Sequence, residues 1–160
     1  MWKLTAAVTA VLMFAALAPA QPGKSAGGKK MDSCGLVTRA DVEQASGQTT
    51  ADPQPSSQNA AMCDFPVGQQ GKIRLMLMTV TPSETPEISI AQLRRDKIAV
   101  TEVKGIGRRA FYADHGGGMT QLNAYKGSNL VILTLLIPGA SDTRQKIIAE
   151  ALMAKALAKL

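Results

Sequence analysis

Two apolar segments joined by a short turn constrain the fold of this chain more than any other feature of its sequence. The segments "MTQLNAY" (119–125) and "NLVILTLLI" (129–137) are predicted strands, and "KGSN" (126–129) joins them. A turn of this length that contains glycine, which readily adopts a positive φ, is typical of a β-hairpin. Strands joined by hairpins are antiparallel, so the sequence predicts an antiparallel sheet.

Further strands and helices are predicted on both sides of this hairpin. The segment 72–80 is a predicted strand. Because successive side chains of a strand point to opposite faces, Ile73, Leu75 and Leu77 share one face and Arg74, Met76 and Met78 share the other. Other strands are expected at 62–67 and 109–113, with a short extended piece from Ala99. Helices are expected from Thr38 to Gly47, at 89–98, and from Ser141 to the C terminus. The predicted fold is α+β: an antiparallel sheet of about five strands, with an N-terminal, a middle and a C-terminal helix covering one face.

The first 20 residues have the anatomy of a secretory signal peptide. A basic start at Lys3 precedes an apolar run (4–17), and "APA" (18–20) fits a cleavage site after Ala20. The run is short and ends at Pro19, which disfavours a retained membrane anchor. Residues 21–32 are rich in Gly, Lys and Ser and predict a flexible basic linker. We therefore expect a secreted or periplasmic protein, with one domain at 33–160 and no transmembrane segment once the signal is removed.

Cys34 and Cys63 are the only cysteines of the chain. In the oxidising compartment that export implies, an intramolecular disulfide between them is the expected state. Two cysteines with one histidine do not match the ligand spacing of a zinc site, and the C-x-x-C motif of redox proteins is absent. We expect no cofactor.

A series of short motifs resembles a known family along nearly the whole of the predicted domain. The motifs, in order, are "CGLVTRADVEQASG", "CDFP", "VKGIGRRAFY", "LNAYKGSNLVILTL" and "KIIAEALMAKAL". They are similar to small exported proteins and lipoproteins, common in actinobacteria, that form a family of unknown function. The resemblance implies a signal, an α+β domain with paired cysteines, and no established catalysis. The chain departs from the pattern at Gln21, where the lipoproteins carry a lipid-bearing cysteine, and at Arg108, which is often acidic in the family.

Two fragments raise the hypothesis of a small hydrolase. "GKSAG" (23–27) fits the G-x-S-x-G motif around a nucleophilic serine, here Ser25, and "HGGG" (115–118) resembles an oxyanion loop. However, Ser25 lies in the predicted linker, without the strand and helix that expose such a serine. His115, the only histidine, would have to be both the base and part of the oxyanion loop. We therefore interpret 114–118 as a hairpin turn, in which glycine, Asp and His tolerate unusual φ values, and we predict no catalytic residue.

The methionines raise the hypothesis of a copper site, because thioethers bind soft metals. The relevant residues are Met62, Met76, Met78, Met119 and Met153. They lack the tight M-x-x-M or H-x-M spacing that would make this specific. Met76 and Met78 alternate on one strand face, as core residues beneath a helix do. We therefore expect no metal site.

The formal net charge of +6 permits peripheral contact with anionic envelope polymers or lipid head groups. No basic run is interleaved with aromatic residues, which argues against nucleic acid as a partner. Arg108 and Arg109 could face an anionic ligand, although adjacent residues of a strand point to opposite sides.

These observations favour a non-catalytic binding or sensor-like module for an unknown small ligand or envelope component. His115, Arg108 and Arg109 are its candidate ligand-facing residues. The alternatives are a small exported enzyme that uses His115 and a structural protein associated with the envelope through its basic linker and last helix.

Overall fold

The computed structural model describes residues 32–57, 59, 61–65 and 74–160. The predicted signal peptide, all but the last residue of the predicted linker, and residues 66–67 and 72–73 of two predicted strands lie outside these residues. The described residues contain seven strands: β1 (Gln54–Pro55), β2 (Met62–Phe65), β3 (Arg74–Val80), β4 (Ala99–Val103), β5 (Arg109–Asp114), β6 (Thr120–Lys126) and β7 (Asn129–Leu136).

The strands form one antiparallel sheet in the order β1-β2-β3-β7-β6-β5-β4. The predicted α+β class is confirmed, but the expectation of about five strands is too low. The two additional strands are the edges. β1 is a two-residue pairing within a polar, proline-containing segment, and β4 is the short extended piece expected from Ala99, which pairs with β5 as a mostly exposed strand. The hairpin from β6 to β7 is confirmed, with Gly127 at a φ of 57°.

In the part of the chain that the structure describes, four helical segments accompany the sheet: a short 3-10 helix (Ser33–Gly35), α1 (Arg39–Ser46), α2 (Pro86–Arg95) and α3 (Asp142–Ala158). The predicted caps of α1 and α3 are confirmed. Thr38 and Asp41 form a capping box, Gly47 ends α1 in the left-handed region, and the Ser141 hydroxyl accepts a hydrogen bond from the backbone N–H of Arg144.

The middle helix differs from its predicted bounds of 89–98. It begins three residues earlier because Pro86, whose φ is already helical and whose missing N–H needs no partner there, occupies its first turn. It ends at Arg95 because Lys97 adopts a left-handed φ of 61°. Ile98 therefore lies beyond the helix, although it still packs against the same apolar cluster as Ile90.

The main core lies between one face of the sheet and the helices α1 and α3. Alternate residues of β7, namely Val131, Leu133 and Leu135, are fully buried there against α3 residues such as Ile148 and Leu152. The predicted Cys34–Cys63 disulfide is confirmed and ties the 3-10 helix to β2.

The prediction that all helices cover one face is wrong. Phe111 and Ala113 of β5 lie on the face opposite to Ala110 and Tyr112, and they form a second cluster with Ile90 of α2. The sheet is therefore covered on both faces, by α1 and α3 on one side and partly by α2 on the other. Within the described residues, no helix is long and apolar enough to cross a membrane.

Candidate ligand-binding groove

The short helix α2 covers only part of its sheet face. Ile90 and Leu93 pack over Phe111 and Tyr125, which belong to β5 and β6. Beyond Leu93 the same face continues across β7, β3 and β2, and there the side chains are half-buried instead of buried. The edge of α2 and this uncovered area together form a concave surface, which we call the α2 groove.

The α2 groove has a volume of about 530 Å³ and an apolar floor. Its floor residues are Met62 from β2, Met76 and Met78 from β3, and Leu130 and Ile132 from β7. Met76 and Met78 are half-buried, so they are not the core residues that the alternating pattern suggested. They lie on the predicted face of β3, but none of the helices in the described residues covers them.

Polar groups line the middle of the groove. Asn123 is buried, and it accepts a hydrogen bond from Gln121 Nε2 at 3.4 Å and donates one to the backbone oxygen of Phe111 at 3.5 Å. Both hydrogen bonds are long, so a ligand could compete for these amides. Thr134 lies opposite Gln121 on the neighbouring strand and also lines the groove. On the α2 side, Ser89 Oγ accepts a hydrogen bond from Tyr125 Oη at 3.1 Å.

The charge of the groove differs from that of the whole chain. Glu84 and His115 line it, and among the described residues no lysine or arginine does. The overall charge of +6 is therefore located elsewhere. An anionic ligand would find no cationic partner among these residues, whereas an apolar or cationic ligand would not be repelled.

The three predicted ligand-facing residues are not brought together. His115 follows β5 in the turn 115–119, where Gly116, Gly117 and Gly118 all have positive φ, and it lines the α2 groove. Arg108 and Arg109 lie at the other end of β5, roughly 20 Å away along the strand.

Both arginines contact other parts of the protein. Arg109 Nη2 forms an ion pair with Glu102 Oε1 of β4 at 2.9 Å, and the backbone N–H of Arg108 donates to the backbone oxygen of Tyr125 at 2.7 Å. Ser25, the serine of the hydrolase hypothesis, lies outside the described residues.

A second cavity of about 610 Å³ lies at the end of the sheet beside the glycine turn. Its polar groups are largely engaged with one another. Tyr112 Oη donates to Glu150 Oε1 at 2.8 Å, and Lys146 Nζ lies 2.6 Å from Asp142 Oδ2 and 5.3 Å from the centre of the Tyr112 ring. Burial, and secondly the bond to Glu150, raise the pKa of Tyr112 far above its ordinary value, so the phenol stays neutral.

The side chain of Gln145 also belongs to the structure of this cavity. Its Oε1 accepts a hydrogen bond from the backbone N–H of Ile137, and its Nε2 donates to the Gly118 oxygen. These contacts hold the glycine turn against α3. We regard the α2 groove as the better candidate site, because its thioethers and amides are less fully engaged.

Sequence reasoning did not identify Glu84, Gln121, Asn123, Ile132 or Thr134 as groove residues. Because side chains alternate between the two faces of a strand, the sequence does place Gln121 and Asn123 of β6 on the same face as Ile132 and Thr134 of β7. What the sequence lacks is a signal for which helix lies over that face and how much of it the helix leaves open.

In the described part of the chain, no three His, Cys, Asp or Glu side chains lie close enough together to hold a metal ion. No known protein family, curated protein or solved structure matches this chain. The resemblance to exported actinobacterial proteins therefore stays an expectation based on the sequence motifs alone.

Proposed function

We propose that this chain is a non-catalytic, extracytoplasmic binding module and that the α2 groove is its ligand site. The observation that carries the proposal is the incomplete cover of one sheet face: α2 buries Phe111 and Tyr125 but leaves Met76, Met78 and Ile132 half-buried in a concave surface. A protein without a ligand gains stability by burying such residues, so their exposure in a groove favours a binding role.

The size and chemistry of the groove support a small ligand. About 530 Å³ falls within the range of 300–1,000 Å³ typical of small-molecule sites. Such sites combine an apolar lining with a few polar groups, which here are supplied by Gln121, Asn123 and Thr134. We expect a neutral or cationic ligand with apolar surface.

An extracytoplasmic location is part of the proposal. The Cys34–Cys63 disulfide is compatible with an oxidising compartment, and the sequence of residues 1–20 predicts export. A secreted or periplasmic module of this kind would meet its ligand outside the cytoplasm.

Binding of the neutral fluorescent probe N-phenyl-1-naphthylamine tests the site. We expect saturable fluorescence enhancement with the unaltered protein. The substitution Thr134→Trp, which fills the groove, should weaken binding at least tenfold, or about 1.4 kcal/mol. The control Thr101→Trp places the same side chain beside the second cavity and should change the affinity less than twofold.

Absence of saturable binding, or a loss caused by Thr101→Trp and not by Thr134→Trp, would overturn the assignment of the groove as a site for an apolar small ligand. Circular dichroism of both variants establishes that they fold. A turnover in a broad hydrolase screen that His115→Ala abolishes would contradict the non-catalytic part of the proposal.

A further inference from the structure

Strand pairing brings three methionines together that are far apart in the chain. Met62 of β2 lies directly opposite Met78 of β3, and Met76 is two residues along β3 on the same face. Opposite residues of an antiparallel pair have Cβ atoms about 4.5–5.5 Å apart, and diagonal neighbours lie within reach of long side chains. Methionine has three rotatable side-chain bonds, so the three sulfur atoms can converge on one point.

The surroundings of these methionines differ from those of the other described methionines. Met153 is fully buried in the main core, and Met119 lines the second cavity. Met62, Met76 and Met78 are half-buried and line the α2 groove together. The thioether of Met78 also meets a polar group, since Asn59 Nδ2 donates to its Sδ at 3.7 Å.

We propose that Met62, Met76 and Met78 bind a soft monovalent cation, Cu(I), in the α2 groove. Thioethers are neutral, soft ligands that select Cu(I) over hard cations. The inference rests on the proposed function in that it places a ligand in the same groove, and it adds a metal cation to the apolar ligand expected there.

The charge and ligand composition of the groove agree with this metal. Glu84 lines the groove, and Asp64 lies opposite Met76 on the same sheet face, while the exposed Arg74, two residues before Met76 on this face, does not line the groove. Both cysteines of the chain are joined in the disulfide and offer no thiolate. The described residues hold no cluster of His, Cys, Asp and Glu, the ligands that Zn²⁺ sites use.

The first test is competition for Cu(I) against the chromogenic chelator bicinchoninate under anaerobic conditions. We expect one Cu(I) per chain for the unaltered protein. Met76→Leu and Met78→Leu should each weaken binding at least tenfold, and the triple variant Met62→Leu/Met76→Leu/Met78→Leu should abolish it. Met119→Leu is the matched control and should bind within twofold of the unaltered protein.

Leucine conserves the apolar volume of methionine, so circular dichroism should show that the triple variant still folds. Probe binding and Cu(I) binding are each measured on the unaltered protein. This separates the two proposals. If the triple variant keeps its Cu(I) affinity, or if the unaltered protein binds no Cu(I), the metal inference fails while the apolar groove stands. If the probe does not bind but Cu(I) does, the apolar ligand class fails while the metal site stands.

A second measurement does not depend on how the variants fold. In protein labelled with methyl-¹³C methionine, Ag(I) serves as a redox-stable substitute for Cu(I). The methyl resonances of Met62, Met76 and Met78 should shift on titration, whereas those of Met119 and Met153 should not. Equal shifts of all five, or shifts confined to the last two, would overturn the inference.

Discussion

Gly107 is a residue whose identity is dictated by a backbone neighbour. Its φ of 58° lies in the left-handed region, and a Cβ at this position would collide with the carbonyl oxygen of Tyr125. That carbonyl already accepts the hydrogen bond of the Arg108 N–H. Gly105, two residues earlier, also has a positive φ but would meet no atom within 4 Å. Gly107 is therefore required for both its backbone conformation and the lack of space for a Cβ, whereas Gly105 is required for its backbone conformation alone.

We expect Gly107→Ala to lower the free energy of unfolding by about 2–4 kcal/mol, because it combines left-handed strain with a backbone clash. Gly105→Ala should cost only about 1 kcal/mol, the strain alone. Urea unfolding followed by circular dichroism measures both. Equal costs for the two substitutions would show that the Tyr125 carbonyl imposes no requirement for glycine at 107.

At the scale of elements, a cation on α3 holds α1 in place. Lys155 Nζ donates to Asp41 Oδ1 at 2.7 Å and to Gln44 Oε1 at 2.9 Å, and Lys159 Nζ donates to the Gly35 oxygen at 3.0 Å. Part of the basic charge of α3 thus serves contacts within the protein. This leaves fewer cations for the envelope contacts that the structural alternative would need.

Asp41 has two structural roles: it pairs with Lys155 of α3, and it forms the capping box of α1 with Thr38. The hydrogen bond from Lys155, followed by those from the Thr38 backbone and hydroxyl, holds the pKa of this carboxyl well below its ordinary value. A carboxyl with a lowered pKa in the folded state stabilises the fold at pH values above its unfolded pKa of about 3.9. That contribution is lost as the pH falls below 3.9 through the folded pKa.

We therefore expect Asp41→Asn to lower the free energy of unfolding by about 1–2 kcal/mol at pH 7. The loss should shrink as the pH falls from 5 towards 2, which denaturant unfolding at several pH values measures. Asp142→Asn removes the exposed ion pair with Lys146 and is the control, with an expected cost of about 0.5 kcal/mol or less. A pH-independent cost for Asp41→Asn would contradict the role of its charge.

At the scale of the whole molecule, the disulfide joins the start of the described chain to the sheet. Cys34 and Cys63 are 29 residues apart, and Cys63 is fully buried in the main core beside Leu77. Because β2 has only four residues, this cross-link is an important constraint on its position beside β3. Met62, one of the three groove methionines, immediately precedes Cys63.

Cys34→Ser/Cys63→Ser should lower the free energy of unfolding by about 3.5 kcal/mol, the loop-entropy value for a loop of this length. Thermal unfolding with and without dithiothreitol checks this. The unaltered protein should become less stable in the reductant, whereas the double variant should not change. A variant within about 1 kcal/mol of the unaltered protein would show that the sheet positions β2 without the cross-link.

Local features of the fold were predictable because each depends on residues close together in the chain. The Thr38–Asp41 cap spans four residues, the turn at Gly127 joins adjacent strands, and the glycine turn after Asp114 follows directly from three glycines. The disulfide was predictable from the oxidising compartment that the sequence leads us to expect and from the absence of other cysteines. These signals predict most of the elements, the β6–β7 hairpin and the α+β class, but not the edge strand β1 or the bounds of α2.

The groove was not predictable, because it depends on pairings between distant segments. β3 pairs with β7, although the segments α2 to β6 separate them in the chain, and α2 packs on the face opposite to α1 and α3. Alternation along β3 tells which side Met76 and Met78 share, but it does not tell which strand brings Met62 beside them or how far a ten-residue helix reaches. The sequence by itself determined the local elements, and only the tertiary structure decided that three methionines meet in an uncovered groove, since burial is settled by long-range packing.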